Sequence, residues 1–457
     1  MKLRDLQIKI GQHVHNTPNV FSFFLPDYAA PGQITAAKLA SPEAQVTNAP
    51  TIIGFLNGMY SLIDGGLNLC YGGFGEQTIS CKNAVQDPDT ASHGQITYTP
   101  TSSTAAGVVD ELAVLLTGGR LNSSARTKIE NAYAARLSTS NAKKARNYAL
   151  KLMISTPEYN SLNAFIEKGQ NRIDPPDPIP SPKNYKAIVF VNLHGGMDGF
   201  QMLVPMDGCT QPSTGAQYDL FANYQKARGE IALRKSSLNP IDVENQVCTK
   251  FGLHPKLTGL KTMYDAKELS FIANMGILQQ PGVTKGNWRK KHDQTSLFSH
   301  NTQTEETGKV DMFNAYAGIG VGGRIVDELT DSGYSTGAIS VSGSAPPVVS
   351  KTTPLLVVNP YGYEKFNPNP ATEDIKSDLK EVNGASTAGS TFYGEAWSNS
   401  LLQALSENEL LYQKYTDADP GAAFPNSYFG RQLSAVSKLV ATKDDRGKDR
   451  DFFFLER

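Results

Sequence analysis

Apolar residues follow two regimes along the chain. Up to about residue 165 they recur at helical spacing: Val108, Leu112, Leu115 and Leu116 form one stripe, Ile129, Tyr133 and Leu137 a second, and Tyr148, Leu152 and Tyr159 continue the pattern. This spacing predicts a mainly helical region, with Gly118 and Gly119 ending the first helix. Residues 65–107, rich in Gly, Ser and Thr, read as a loop.

From residue 186 onward, short apolar runs alternate with helical segments. KAIVFVNL (186–193) is continuous, β-branched and followed by glycines, which predicts a central parallel strand buried on both faces. LSFIANM (269–275), GAISVS (337–342), PLLVVN (354–359) and the terminal Phe452–Leu455 run read as further strands, the last pairing beside KAIVFVNL or a neighbour of it. Helices are expected over 254–266, over 322–332 after a glycine pair, and along the face of Phe429, Leu433, Val436 and Leu439. Alternation of this kind predicts an α/β fold with an open, mostly parallel sheet.

Between the regimes lies RIDPPDPIPSPK, with five prolines in twelve residues, a composition that excludes helix and ladder and favours an extended spacer. The expected organisation is therefore a helical domain at 1–171, a Pro-rich linker at 172–185 and an α/β domain at 186–457, with modest contact between the two domains.

Composition narrows the function classes. The 457 residues carry 43 basic and 44 acidic side chains, a net charge of −1, which excludes a protein that works by neutralising nucleic-acid phosphates. No apolar run approaches the roughly 20 residues that span a bilayer, and the charged start lacks the apolar stretch of a signal peptide. Cys70, Cys81, Cys209 and Cys248 form no metal-binding spacing. Buried free thiols or two disulfides account for them; the disulfide reading pairs Cys70 with Cys81 and Cys209 with Cys248, each within one domain, and implies a secreted, extracellular or lumenal protein. In that setting Asn122, in LNSSA, is either a glycan acceptor or a helix cap.

Two places invite chemistry. In an open α/β sheet ligands bind beyond the carboxyl ends of the strands, which singles out His194-Gly195-Gly196-Met197-Asp198-Gly199, where Asp198 offers a hard carboxylate to a metal. A Gly-rich turn with a capping Asp accounts for the same residues. The second place is Ser299-His300 in SLFSHNTQTEETG: Ser299 is the candidate nucleophile and His300 its neighbour, a surface pair with an N-cap serine being the plainer alternative. Asp327, Glu328, Asp374 and Asp378 read as solvated acids, and His254 as structural.

Several ordered blocks carry a resemblance. VNLHGGMDGFQMLVP, FGLHPKLTGLKTMYDAKELSFIANMG, LFSHNTQ, IGVGGRIVDEL and the helix before RDFFFL resemble the secreted family designated domain of unknown function 1501, which looks like a branch of the alkaline phosphatase and sulfatase superfamily. HNTPNVFSFFLPDY, SPEAQ, ELAVLLTGGRL and LKLMISTPEY are similar to the carboxyl end of the family designated domain of unknown function 1800. The resemblance implies a fusion that looks cropped at both ends, with a metal-site position at Asp198 and a nucleophile position at Ser299. It also implies that the divalent-metal site is incomplete, because no histidine follows His300 and Thr302 stands where the family pattern tends to have Asp. Two functions follow as expectations: a secreted, non-catalytic binding or assembly subunit that engages another protein chain or self-assembles, or a metal-dependent hydrolase of phosphate or sulfate esters completed by a missing segment or a partner chain.

Overall fold

The computed structural model describes the chain apart from residues 1, 2, 4, 5, 13, 14, 16–23, 25–27, 31, 32, 76–93, 162–182, 194–196, 274, 277–281, 291–305, 312–318, 344, 363, 369–374 and 385–390. Its principal helices are α1 (Ala49–Gly65), α2 (Ala105–Thr117), α3 (Ser123–Thr139), α4 (Ala142–Ile154), α5 (Leu220–Arg228), α6 (Thr258–Asp265), α7 (Val321–Asp331), α8 (Ile375–Gly384), α9 (Phe392–Asp417) and α10 (Tyr428–Ala441). The strands are β1 (Lys186–Asn192), β2 (Leu203–Asp207), β3 (Asn239–Asp242), β4 (Lys250–Leu253), β5 (Thr336–Ser340), β6 (Leu355–Val357) and β7 (Arg450–Glu456). The chain forms two compact units, residues 1–192 with 279–457, and residues 193–278.

Local signals account for several element boundaries. Thr104, Asn122 and Asn141 cap α2, α3 and α4 by accepting a hydrogen bond from a backbone N–H three residues on. Gly118 ends α2 in the left-handed region at φ 61°, where a Cβ would be strained. The Asn122 side chain also donates to Glu158 Oε1 at 2.7 Å, so the structure uses this residue as a helix cap. In the long helix α1 the residues Ile52, Leu56, Tyr60 and Ile63 recur at helical spacing and form one buried stripe with Ile53, while Gly54, Gly58 and Ser61 are buried on the other side.

The expected boundary at 172–185 does not separate two cores. Residues 162–182 lie outside the described residues, but one continuous cluster joins α1–α4 to Phe366, to Ile375, Leu379 and Val382 of α8, and to Leu401, Ala404 and Leu405 of α9. Directed polar contacts reinforce it. Asn57 donates to Lys365 O at 2.9 Å and accepts from the Asn367 N–H, Trp397 donates its indole N–H to Ser155 O at 3.1 Å, and the Tyr148 hydroxyl donates to Asp378. Asp378 is therefore a tertiary anchor and not a solvated acid; Asp374 lies outside the described residues. Within the same core Lys151 is buried against Asp64, its ammonium also 5.5 Å from the Tyr60 ring centre.

The first unit also contains a parallel sheet of order β1-β7-β5-β6, which places the chain in the α/β class. β7 is central and its alternate side chains feed two clusters. Phe453 and Leu455 pack with Ile339, Leu411, Tyr415, Val436 and Leu439 under α9 and α10, while Phe452 and Phe454 pack with Val326, Ala338 and Val348 beside α7. The glycine pair lies inside α7 and brings it close: a Cβ on Gly322 would stand 2.4 Å from the Phe452 ring and one on Gly323 1.8 Å from Val349 O. The foot of β7 is pinned by a buried, bidentate Arg446–Asp451 pair, to which the Tyr185 hydroxyl donates at 2.7 Å.

The terminal strand thus pairs with β1, as expected, in a parallel register running from Lys186↔Arg450 to Asn192↔Glu456. The expectation that β1 is buried on both faces is overturned. Among the described residues it forms the edge of the sheet, with Ile188 46% and Val189 45% exposed.

In the second unit β2, β4 and β3 form an antiparallel sheet in that order. Val204, Phe221, Tyr224 and Leu238 make its core, and Cys209 is bonded to Cys248 across 39 positions. In the chain-entropy view such a crosslink stabilises by about 4 kcal/mol, and it fits an oxidising compartment. Cys81 lies outside the described residues, so the expected Cys70–Cys81 pair does too. The expected strand LSFIANM is absent among the described residues: 269–273 are irregular, and Ile272 is 79% exposed. Among the described residues no helix is long and apolar enough to cross a membrane.

Candidate functional site

Asp198 lies in the second unit, at the start of a short turn, Gly199–Gln201. Its Oδ1 accepts the Phe200 N–H at 3.2 Å and its Oδ2 is paired with the Arg228 guanidinium at the end of α5. The carboxylate therefore closes a local turn and anchors a helix end, the capping role that a Gly-rich turn predicts. Of the residues nominated from sequence it is the one that is described; His194, Gly195, Gly196, Ser299 and His300 lie outside the described residues. The expected approach of Asp198 to Ser299 lies outside them as well.

This bears on the divalent metal that the family resemblance implies. Among the described residues no group of three or more His, Cys, Asp or Glu side chains is placed to hold an ion. Asp198 itself faces a cation already. The described donors do not fit a divalent metal. His254 is structural, its Nδ1 accepting the Lys256 N–H at 3.2 Å.

Sequence reading also missed a polar cluster at the carboxyl end of the parallel sheet in the first unit. The cluster lies at the carboxyl ends of the neighbouring parallel strands β5 and β7, the end of the sheet beyond which ligands bind in open α/β folds. The turn after it, Ser340-Val341-Ser342-Gly343, places Ser342 Oγ between the Gln432 side-chain amide, which donates at 2.6 Å, and the Glu456 backbone N–H, which donates at 2.9 Å. Asn192 donates to Glu456 Oε1 at 2.9 Å. Gln432 is fully buried, and its Oε1 has no hydrogen-bond partner among the described residues. Beside it, Tyr361 and Tyr428 pack with ring centres 5.9 Å apart, Arg431 lies over Tyr361 at 4.8 Å, and burial raises the Tyr428 pKa. Such a cluster can hydrogen-bond a polar group; it offers Ser342 no adjacent imidazole among the described residues, so it lacks the base that activates a serine. The signal in sequence was the serine-glycine turn after GAISVS, which lost its prominence because serines are common at any turn.

Asp327, expected to be solvated, is tied as well. It accepts hydrogen bonds from Ser350 Oγ at 2.6 Å, the Lys351 N–H at 2.9 Å, and the backbone and hydroxyl of Thr352. Burial opposes its ionisation, but these donors outweigh burial and hold its carboxyl below the usual range. It fixes the loop before β6 and is spent on structure.

Comparison of the chain with protein-family models, with curated proteins and with solved structures finds no match.

Proposed function

We propose that the chain is a secreted, non-catalytic binding or assembly subunit built on a phosphatase/sulfatase-like α/β fold. The observation that carries this reading is β1, an edge strand that presents Ile188, Val189 and Val191 to solvent. Exposed, long, apolar edge strands are templates for pairing with another polypeptide, and proteins that do not use them protect them with charges, proline or bulges. β1 has none of these between Ala187 and Val191. The employment of Asp198 by Arg228 supports the same reading, because a carboxylate neutralised by a guanidinium is a poor metal ligand.

The test is turnover of aryl phosphates and aryl sulfates by the purified protein, with and without added magnesium, calcium or zinc. The expected result is no hydrolysis above the metal-only background. Metal-dependent turnover that disappears in Ser299→Ala would instead support the hydrolase reading, with Ser299 as nucleophile and Asp198 released to the metal.

A further inference from the structure

The geometry points to a second copy of this chain as the occupant of the β1 edge, paired antiparallel about a two-fold axis through Val189. This deepens the assembly reading and rests on it. Backbone alternation selects the residues that do the pairing. The Lys186 N–H donates to Asp449 O and Asn192 O accepts from the Arg457 N–H, so the even-numbered residues of β1 turn their backbone groups toward β7. Ala187, Val189 and Val191 then turn theirs outward. In the register centred on Val189, which overlaps the whole strand, these outward residues meet one another. Val189 exchanges both bonds with its own counterpart, and Ala187 does so with Val191 of the second copy, leaving no outward group of this stretch unpaired.

Side chains agree with that register. Val189 and Val191 lie on the β1 face adjoining Phe453 and Leu455, and Ile188 and Phe190 on the face adjoining Phe452 and Phe454. Directly opposed residues in an antiparallel pair share a face, so Ala187, Val189 and Val191 of both copies form one aliphatic patch, and Ile188 of each copy meets Phe190 of the other. Charge is complementary as well. Lys186 of the second copy falls opposite Asn192, whose amide is bonded to Glu456 on the next strand and on the same face, which brings an ammonium toward a carboxylate twice by symmetry. No like charges are opposed, and a chain of net charge −1 has little global repulsion to overcome.

The experiment is sedimentation equilibrium of the full chain at 1–100 µM (about the range that brackets a micromolar dissociation constant), for wild type, Val189→Lys, Lys186→Glu and the Lys186→Glu/Glu456→Lys double variant. The expected result is a wild-type dimer. Val189→Lys, which sets two ammonium groups against each other at the axis, becomes monomeric with unchanged circular dichroism. Lys186→Glu weakens association by about tenfold, and the charge swap restores it. A monomeric wild type overturns the proposal, as does a dimer indifferent to Val189→Lys. Hydrogen exchange gives a second readout, because slow exchange of the Val189 amide in a monomer would show that other polypeptide covers the edge and would also overturn it. A monomer without ester hydrolysis removes the second copy but leaves the assembly reading, whereas ester hydrolysis removes that reading whatever the oligomeric state.

Discussion

β1 and β7 are adjacent strands of equal length in one sheet, both rich in apolar residues, yet one is exposed and the other forms the core. KAIVFVN has Val189 45% exposed, whereas in RDFFFLE Phe453 is fully buried. Their backbones are in register, so the difference lies in what covers each side. β7 has a strand on both edges and helices α9, α10 and α7 over its faces. Among the described residues β1 has one neighbouring strand; its Phe190 packs on Phe452 and Phe454, while Ile188, Val189 and Val191 stay exposed. Apolarity measures what a strand is able to bury and leaves open whether anything is there to bury it.

The largest test of this contrast is Phe453→Ala. Removing a large side chain from a fully buried site leaves a cavity lined by α9 and α10, and should destabilise by about 4 kcal/mol. Urea unfolding followed by circular dichroism measures it, and a loss under about 1 kcal/mol would mean that β7 is not the centre of the sheet.

Asp451→Asn comes next, at about 3 kcal/mol, because it leaves the buried Arg446 guanidinium without its counter-charge. Tyr185 keeps a partner at position 451, so the loss should track the charge and not the hydrogen bond. A variant as stable as wild type would show that water reaches the foot of β7 as freely as it reaches β1.

A smaller effect, of opposite sign, is expected from α9. Burial pushes the Glu407 carboxyl up to about 7, against the favourable Gln403 amide and the Lys448 and Arg446 charges. A raised carboxyl pKa means that the folded state binds the proton more tightly than the unfolded chain. Its contribution is therefore neutral below the ordinary glutamate range and becomes a cost as pH rises from about 4.5 through 7. Glu407→Gln should remove that cost and raise stability by about 1–2 kcal/mol at pH 8, a figure reduced for the water that still reaches the side chain, with little effect at pH 4. Thermal unfolding at the two pH values separates this from a packing effect, which would appear at both.

Smallest is Ile188→Thr read on the dissociated single chain, where the side chain is 46% exposed. There it should change the stability by about 0.5 kcal/mol or less. A loss comparable to that of Phe453→Ala in the single chain would show that β1 is covered within the molecule by more than its neighbour β7.

The candidate site was legible in part. Asp198 was found because a glycine-rich turn after an apolar strand is a local signature, and its capping geometry is likewise local. Its pairing with Arg228 was not legible, since thirty positions separate the two and sequence spacing does not say which basic residue α5 will deliver. The Ser342, Gln432 and Glu456 cluster assembles from three elements far apart in the chain. No short pattern encodes it.

What the sequence determined by itself was whatever depends on neighbouring residues: the strands β1, β5, β6 and β7, the helices α2, α3, α6, α7 and α10, the stop at Gly118, and which cysteine Cys209 would take as partner if the thiols were oxidised, though not that the bond forms. Side-chain periodicity, capping and short-loop closure act over a few turns or one connection, so they can be read in order along the chain. Only the tertiary structure decided that β7 and not β1 is central, that α8 and α9 complete the core of the first helices across the Pro-rich segment, and that Asp327 and Asp378 anchor loops and helices. Each of these depends on which remote surface arrives to exclude water, and burial is a property of the pair of surfaces, not of either one.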